Sequence, residues 1–190
     1  MDLRTFRVFL ALSCLLLSGC VSNYPTRHTI PNFHTVNAGR KIYRGGEPLE
    51  EGWAYLKRLG VNTVVKLNTG DESCDNGARI RGMKIIYRPI TSHQQIFGCP
   101  DGETIHSAVA AMRRGSVFVH CGSDARSKPN SVYALFDIQG GQDRTGLVVG
   151  CYRVWVEHQK KTKAREEMKS FHFHALLLPG LRNFWRDKVN

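Results

Sequence analysis

Two residues of this sequence have side chains suited to chemistry on an anion, Cys121 and Arg144. Cys121 ends "SVFVHC", an apolar run that reads as a buried strand. Arg144 sits in "GGQDRTGLVVG", where glycines lead into a helical pattern. A thiolate is a strong nucleophile; a free cysteine titrates near ~8.5, and a helix N-terminus lowers that value. A guanidinium can bind two oxygens of a phosphate at once. Backbone N–H groups at a helix start supply positive potential without a metal. A strand-end thiol alone would read as a buried hydrophobe. Joined to a glycine turn and an arginine, it reads as a site for phosphate. The obstacle is distance along the chain, since twenty-two residues, Gly122 to Asp143, separate the pair.

Without Gly122 to Ile138, the flanks read His-Cys-Gln-Gly-Gly-Gln-Asp-Arg-Thr-Gly. That string resembles the Cys-x5-Arg loop of the cysteine-based protein tyrosine phosphatases, HC-x-x-G-x-x-R-[S/T]-G. The resemblance extends to "YRGGEP", "LGVNTVVKLN", "IIYRPI" and "EEMKSFHFHALLLPGLRNFW". It is similar to the bacterial secreted branch of the dual-specificity phosphatases. The resemblance implies hydrolysis of a phosphate monoester through a phosphocysteine on Cys121. It implies a phosphate cradle from Gln139, Gly140, Gly141, Gln142, Asp143 and Arg144. Thr145 would donate to the thiolate as it departs, and His120 would orient the loop from behind. It further implies a carboxylic acid to protonate the leaving oxygen, in the loop before the long helix. In "TSHQQIFGCPDG" the only carboxylate is Asp101, which also suits a helix N-cap. His93, Asp143, Asp71 and Glu72 are further candidates. The implied partner is a phosphorylated protein or a small phosphate ester, with no cofactor and no metal.

The interruption, about 122–138 with a start that can shift by up to two residues, allows two outcomes. The seventeen residues can loop out with their ends together, at a closure cost of about 2.5 kcal/mol. Alternatively "SVYALF" seeks burial and displaces Cys121. A misplacement of ~1 Å can cost on the order of 10²-fold in rate. The first outcome is an active phosphatase. The second is a catalytically impaired, lipid-anchored binder of phosphate or phosphopeptide.

The elements that must position these residues alternate. "IYR", "VNTVVKL", "MKIIYRPI" and "SVFVHC" read as strands. "LEEGWAYLKRLG", "ETIHSAVAAMRRG" and "TGLVVGCYRVWVEH" read as helices, with two shorter ones around Glu166 and Phe184. Residues 91–101 read as loop. Alternation predicts an α/β domain with a mainly parallel central sheet flanked by helices, its ligand at the carboxyl ends of strands. The resemblance implies the dual-specificity phosphatase fold for it.

The first twenty residues carry Arg4 and Arg7, an apolar run from Val8 to Leu17, and "LSGC". That run is too short to span a bilayer and reads as a signal peptide. "LSGC" resembles a bacterial lipobox, which implies cleavage after Gly19, acylation of Cys20 and a membrane anchor facing the periplasm. Val21 in place of Asp points to the outer membrane. The organisation expected is therefore signal peptide 1–19, tether 20–40 and phosphatase-like domain 41–190. Of the six cysteines, Cys74 and Cys99 fall in loop-like segments and are the expected pair if one forms. "FHFH" at 171–174 reads as packing near a helix end rather than as a metal site. A net charge of +11 favours anionic partners, and no nucleic-acid motif accompanies it.

Overall fold

A computed structural model describes residues 29–70, 75–122 and 139–190. Five strands, β1 His34–Asn37, β2 Ile42–Gly45, β3 Thr63–Lys66, β4 Lys84–Tyr87 and β5 Val117–His120, form one sheet in the order β1-β2-β5-β3-β4. Only β1 is antiparallel; β2, β5, β3 and β4 run parallel. The parallel core is the α/β sheet expected from the alternation. β1 departs from expectation, because it lies inside the segment expected to be tether. Ile30 is buried and β1 pairs with β2, so the folded unit begins before residue 41. Polar and proline-containing composition hides this edge strand, whose four residues bury little.

The described helices are α1 Glu50–Arg58, α2 Asn76–Ile80, α3 Ser92–Ile96, α4 Gly102–Arg113, α5 Asp143–Trp155, α6 Lys161–Ser170 and α7 Pro179–Lys188. Helix α3 lies in the segment expected to be loop. Its cause is local: Thr91 and Gln94 form a reciprocal capping box, with each side chain taking the other residue's backbone N–H.

Strand alternation divides the core into two layers. Val64 and Phe118 face Trp53, Leu56, Ala78 and Met83 on the α1–α2 side. Val65, Val117, Val119 and Cys121 face the layer of α4 to α7. Helix α5 runs through the middle of that second layer, packed by α4, α6 and α7 and by β2 and β5. Ten consecutive residues, Asp143 to Tyr152, are buried. Beyond Thr145 the buried run is mostly apolar all round, which suits such a place, while Asp143, Arg144 and Thr145 lie at its start. Arg153 fastens it to α6 by an ion pair to Glu167 at 2.8 Å, and pairs with Glu157 at 2.6 Å.

Phe118 is fully buried, edge-on to Trp53 and stacked on His120. Phe118→Ala should lower the unfolding free energy by about 3–5 kcal/mol, the usual cost of an aromatic-sized cavity. Urea denaturation checks this, and a loss below about 1 kcal/mol would show that the layer collapses freely around the gap.

Candidate active site

Strand pairing brings three carboxyl ends level. Gly45 of β2 lies opposite His120 of β5, and His120 lies opposite Lys66 of β3. The chain then leaves β5 through Cys121, whose residue is 4% exposed. Gly122 follows at φ +56°, and its carbonyl accepts the Glu47 N–H at 2.8 Å. Gly122 is thus part of the loop floor. The interruption, expected from 122, begins after it, because the Glu47 bond fixes that residue to the "GGEP" turn. Residues 123–138 lie outside the described residues.

The chain returns beside the point it left. Gly141 donates its N–H to the Cys121 carbonyl at 2.9 Å, across the whole interruption. Gly140 and Gly141 lie directly on the backbone of Gly45 and Gly46. A Cβ on Gly141 would collide with Gly45, and one on Gly140 would sit 2.5 Å from the Gly122 carbonyl. Gly141 has φ +86°, a conformation glycine adopts at no steric cost. One expected cradle member therefore has another task, since the Gly141 N–H closes the loop. Gln142 steadies the return by accepting the Gln139 N–H on Oε1 at 2.8 Å.

Helix α5 starts here. Its first turn closes with Gly146 donating to the Gln142 carbonyl, so the N–H groups of Asp143, Arg144 and Thr145 are not spent within the helix. Arg144 is 8% exposed, and its Nη1 donates to the Ile90 carbonyl at 3.2 Å and the Leu67 carbonyl at 3.5 Å. A Cβ placed on Gly122 would lie 3.4 Å from Arg144 Nη2. The guanidinium is thereby brought over the start of the loop, next after Cys121. Thr145 is fully buried, and its hydroxyl has no partner among the described residues. Tertiary structure thus assembles Cys121, Gly122, Gly140 to Asp143, Arg144 and Thr145 around one helix start. A thiol, an arginine and the first-turn N–H groups of a helix there suit nucleophilic attack on a bound oxyanion.

Asp101 has a different job from the acid role expected of it. Its Oδ2 caps α4, accepting from the Thr104 N–H at 3.1 Å and the Thr104 hydroxyl at 3.3 Å. The Thr104 backbone N–H leads the contributions that hold its carboxyl below the ordinary value, the wrong direction for a proton donor at neutral pH. Asp143 is engaged as well: its Oδ1 accepts the His174 backbone N–H at 2.7 Å, and His174 Nδ1 lies 3.1 Å from Oδ2. "FHFH" therefore anchors the α6–α7 connection to the loop through His174. His93 is exposed in the first turn of α3 beside Phe97. Asp71, Glu72, Cys74 and Cys20 lie outside the described residues, so the expected Cys74–Cys99 pairing does too; Cys99 is exposed. Among the described residues no group of three or more His, Cys, Asp or Glu could hold a metal ion.

Four site residues are not singled out by the sequence. Arg44 is 1% exposed and donates from Nη2 to the Gly141 carbonyl at 2.7 Å and the Gln142 carbonyl at 3.3 Å. Burial pushes this arginine down to about 10, and the charge of Cys121 opposes that fall. Behind the loop, Asp75 joins Lys66 at 2.9 Å and His120 Nε2 at 3.0 Å, all three side chains at most 6% exposed. Lys66 and Asp75 are the second and third. His174, on Asp143, is the fourth. Arg44 lies within the quoted "YRGGEP", but nothing in that string says that it reaches ninety-seven residues ahead to Gly141.

No family profile matches the sequence. Two sequence relatives, both named dual specificity protein phosphatase TpbA and both from Pseudomonas aeruginosa, are 26% identical over 139 residues. Each match spans 73% of this chain and 55% of the relative, so it spans about half the length of the curated relatives. The crystal structure of P. aeruginosa TpbA matches at a TM-score of 0.59 and 23% identity, over 86% of this chain and 87% of that one. The core catalytic domain of the S. cerevisiae PP-IP phosphatase SIW14, in complex with citrate, matches at 0.59 and 19%, over 84% and 86%. A cysteine-to-serine variant of P. aeruginosa TpbA in complex with pTyr matches at 0.55 and 22%, over 82% and 88%.

Burial alone would raise the Asp75 carboxyl, but the His120 and Lys66 contacts outweigh it and hold the group below its ordinary value. Its stabilising contribution is therefore full above the unfolded value, about 3.9, and is lost as pH falls through the lower folded value. Asp75→Asn should cost about 3–5 kcal/mol at neutral pH, since it strands a buried charge. The gap between variant and parent should shrink below about pH 4. Urea midpoints across pH check this, and a gap independent of pH would refute the ion pair.

Proposed function

We propose that the chain is a cysteine-based protein tyrosine phosphatase that hydrolyses phosphate monoesters of phosphorylated proteins, phosphotyrosine among them, through Cys121; the TpbA sequence relatives and the shared fold support this reading. The observation that carries this reading is the Cys121 carbonyl bonded to the Gly141 N–H. It brings the Cys121 backbone next to the residues that lead into helix α5, which supports the looped-out reading. The pTyr complex of a TpbA variant, a fold relative, supports phosphotyrosine as a substrate class.

In this mechanism the Cys121 thiolate attacks phosphorus, and the bond from phosphorus to the ester oxygen breaks. Arg144 holds two equatorial oxygens as charge spreads over them. The helix-start N–H groups of Asp143 and Arg144 add fixed positive potential. The leaving oxygen takes its proton from water, since Asp101 caps α4 and Asp143 is held by His174. Water then cleaves the phosphorus–sulfur bond, releasing inorganic phosphate. Thr145, whose buried hydroxyl has no partner among the described residues, donates to the thiolate that departs. His120, locked by Asp75 on the opposite face of β5, sets the strand end and takes no proton from substrate. We further propose that the domain is held at the periplasmic face of a membrane, the outer one, by acylated Cys20, on the evidence of "LSGC" followed by Val21.

p-Nitrophenyl phosphate should be turned over, and Cys121→Ser should abolish that turnover. Deleting residues 123–139 restores five residues between Cys121 and Arg144. The parent and the deletion should then have kcat/KM values of the same order. A folded parent without turnover that gains it on deletion would instead identify a phosphate or phosphopeptide binder blocked by its interruption. For the anchor, full-length protein should fractionate with membranes and Cys20→Ala should release it to the soluble fraction. Equal fractionation of the two would remove the lipid.

A further inference from the structure

We propose that Arg44 is a positioning residue for the phosphate-binding loop: its buried guanidinium holds the Gly141 and Gln142 carbonyls on its own side, so that the N–H groups of Gln142 and Asp143 face the other way, toward the anion. The inference rests on the phosphate-site reading of this loop. Its physical basis is peptide planarity. In a trans peptide the C=O of one residue and the N–H of the next point in opposite directions. Fixing the Gly141 carbonyl therefore fixes the Gln142 N–H, and fixing the Gln142 carbonyl fixes the Asp143 N–H. Arg44 Nη2 contacts both carbonyls, at 2.7 and 3.3 Å. The Gln142 carbonyl also receives the Gly146 N–H, which aligns the second unit with the axis of α5.

The loop needs such a hold. The seating on Gly45–Gly46 and the bond to Cys121 fix the Gly141 N–H, but not the peptide unit that follows Gly141. A glycine pair left to itself can rotate its peptide units and present carbonyls to the anion, which would repel it. Arg44 removes that option from a fixed base. It stands on β2 opposite Val119, so it moves with the strand that carries Cys121. Phe171 covers its guanidinium carbon at 4.6 Å, and Gly146 leaves room for it on α5. Its Nε and Nη1 have no partner among the described residues. A dry cation with unsatisfied donors is costly for stability alone. Val119, opposite Arg44, and Cys121 lie on the same face of the sheet.

The test uses Arg44→Met, which keeps much of the bulk, and Arg44→Lys, which keeps the charge but offers a point donor in place of the fork. Thermal unfolding first identifies which variants fold. The readout is the 15N–1H shifts of Gln142 and Asp143 during titration with inorganic phosphate, followed by steady-state kinetics on p-nitrophenyl phosphate. In the parent both amides should shift on phosphate addition. In Arg44→Met they should lose that response, and kcat should fall on the order of 10²-fold, as when an oxyanion donor is removed, with a smaller change in KM. Arg44→Lys should recover part of both; if Arg44→Met does not fold, the lysine variant alone should show a reduced response at the two amides. Equal amide responses in parent and folded variant overturn the positioning role. A parent whose amides ignore phosphate overturns the site reading itself. A response without turnover leaves the positioning role standing and refutes the hydrolase.

Discussion

The structure depends on one backbone contact, the seating of Gly140–Gly141 on Gly45–Gly46 with the Gly141 N–H closed onto the Cys121 carbonyl. Chain connectivity would otherwise separate the nucleophile from the helix that completes its site. The contact requires glycine at the return, because a single methyl at Gly141 would overlap the Gly45 backbone. It also requires β2 and β5 to be neighbours in register, which places Gly45 opposite His120. Those two conditions set where the chain returns, and the entropy of closing a loop grows only slowly with its length.

Charge is distributed around this contact on both faces of the sheet. Arg44 sits on the α5 face and grips carbonyls. Lys66, Asp75 and His120 form a dry triad on the other face, behind the strand end. Asp75 adopts φ +44° to do so, a conformation more accessible to Asp than to most residues. Buried ionic groups of this kind contribute little net stability, but breaking one partner is expensive, so they hold geometry tightly. Asp143 and His174 extend the same logic to the connection between α6 and α7.

Much of the fold is legible in the chain. Apolar runs of strand length alternating with amphipathic stretches point to the parallel sheet and its order of elements. Gly115 reads as the stop after α4, and the structure gives it φ +80° there. Two elements escape such a reading for physical reasons. β1 is four residues long and one-sided, so edge pairing rather than composition makes it a strand. α3 is one turn held by a capping box, whose Thr91 and Gln94 are outweighed by the glycine and proline nearby. Asp101 is ambiguous between acid and cap, and geometry resolves it toward the cap because Thr104 N–H lies within reach.

By itself the sequence determined which residue types could act on phosphate, the strand before Cys121 and the helix after Arg144, since periodicity and glycine placement are local. It determined the two halves of the loop but not their meeting. Only tertiary structure decided that Gly122 and Gly140 lie together, that Arg44 reaches the returning carbonyls, and that Asp75 stands behind His120. Those contacts join residues distant along the chain, and they exist because parallel strand register brings three chain ends to one level. Spacing along a chain cannot encode that level; the hydrogen-bonded sheet sets it.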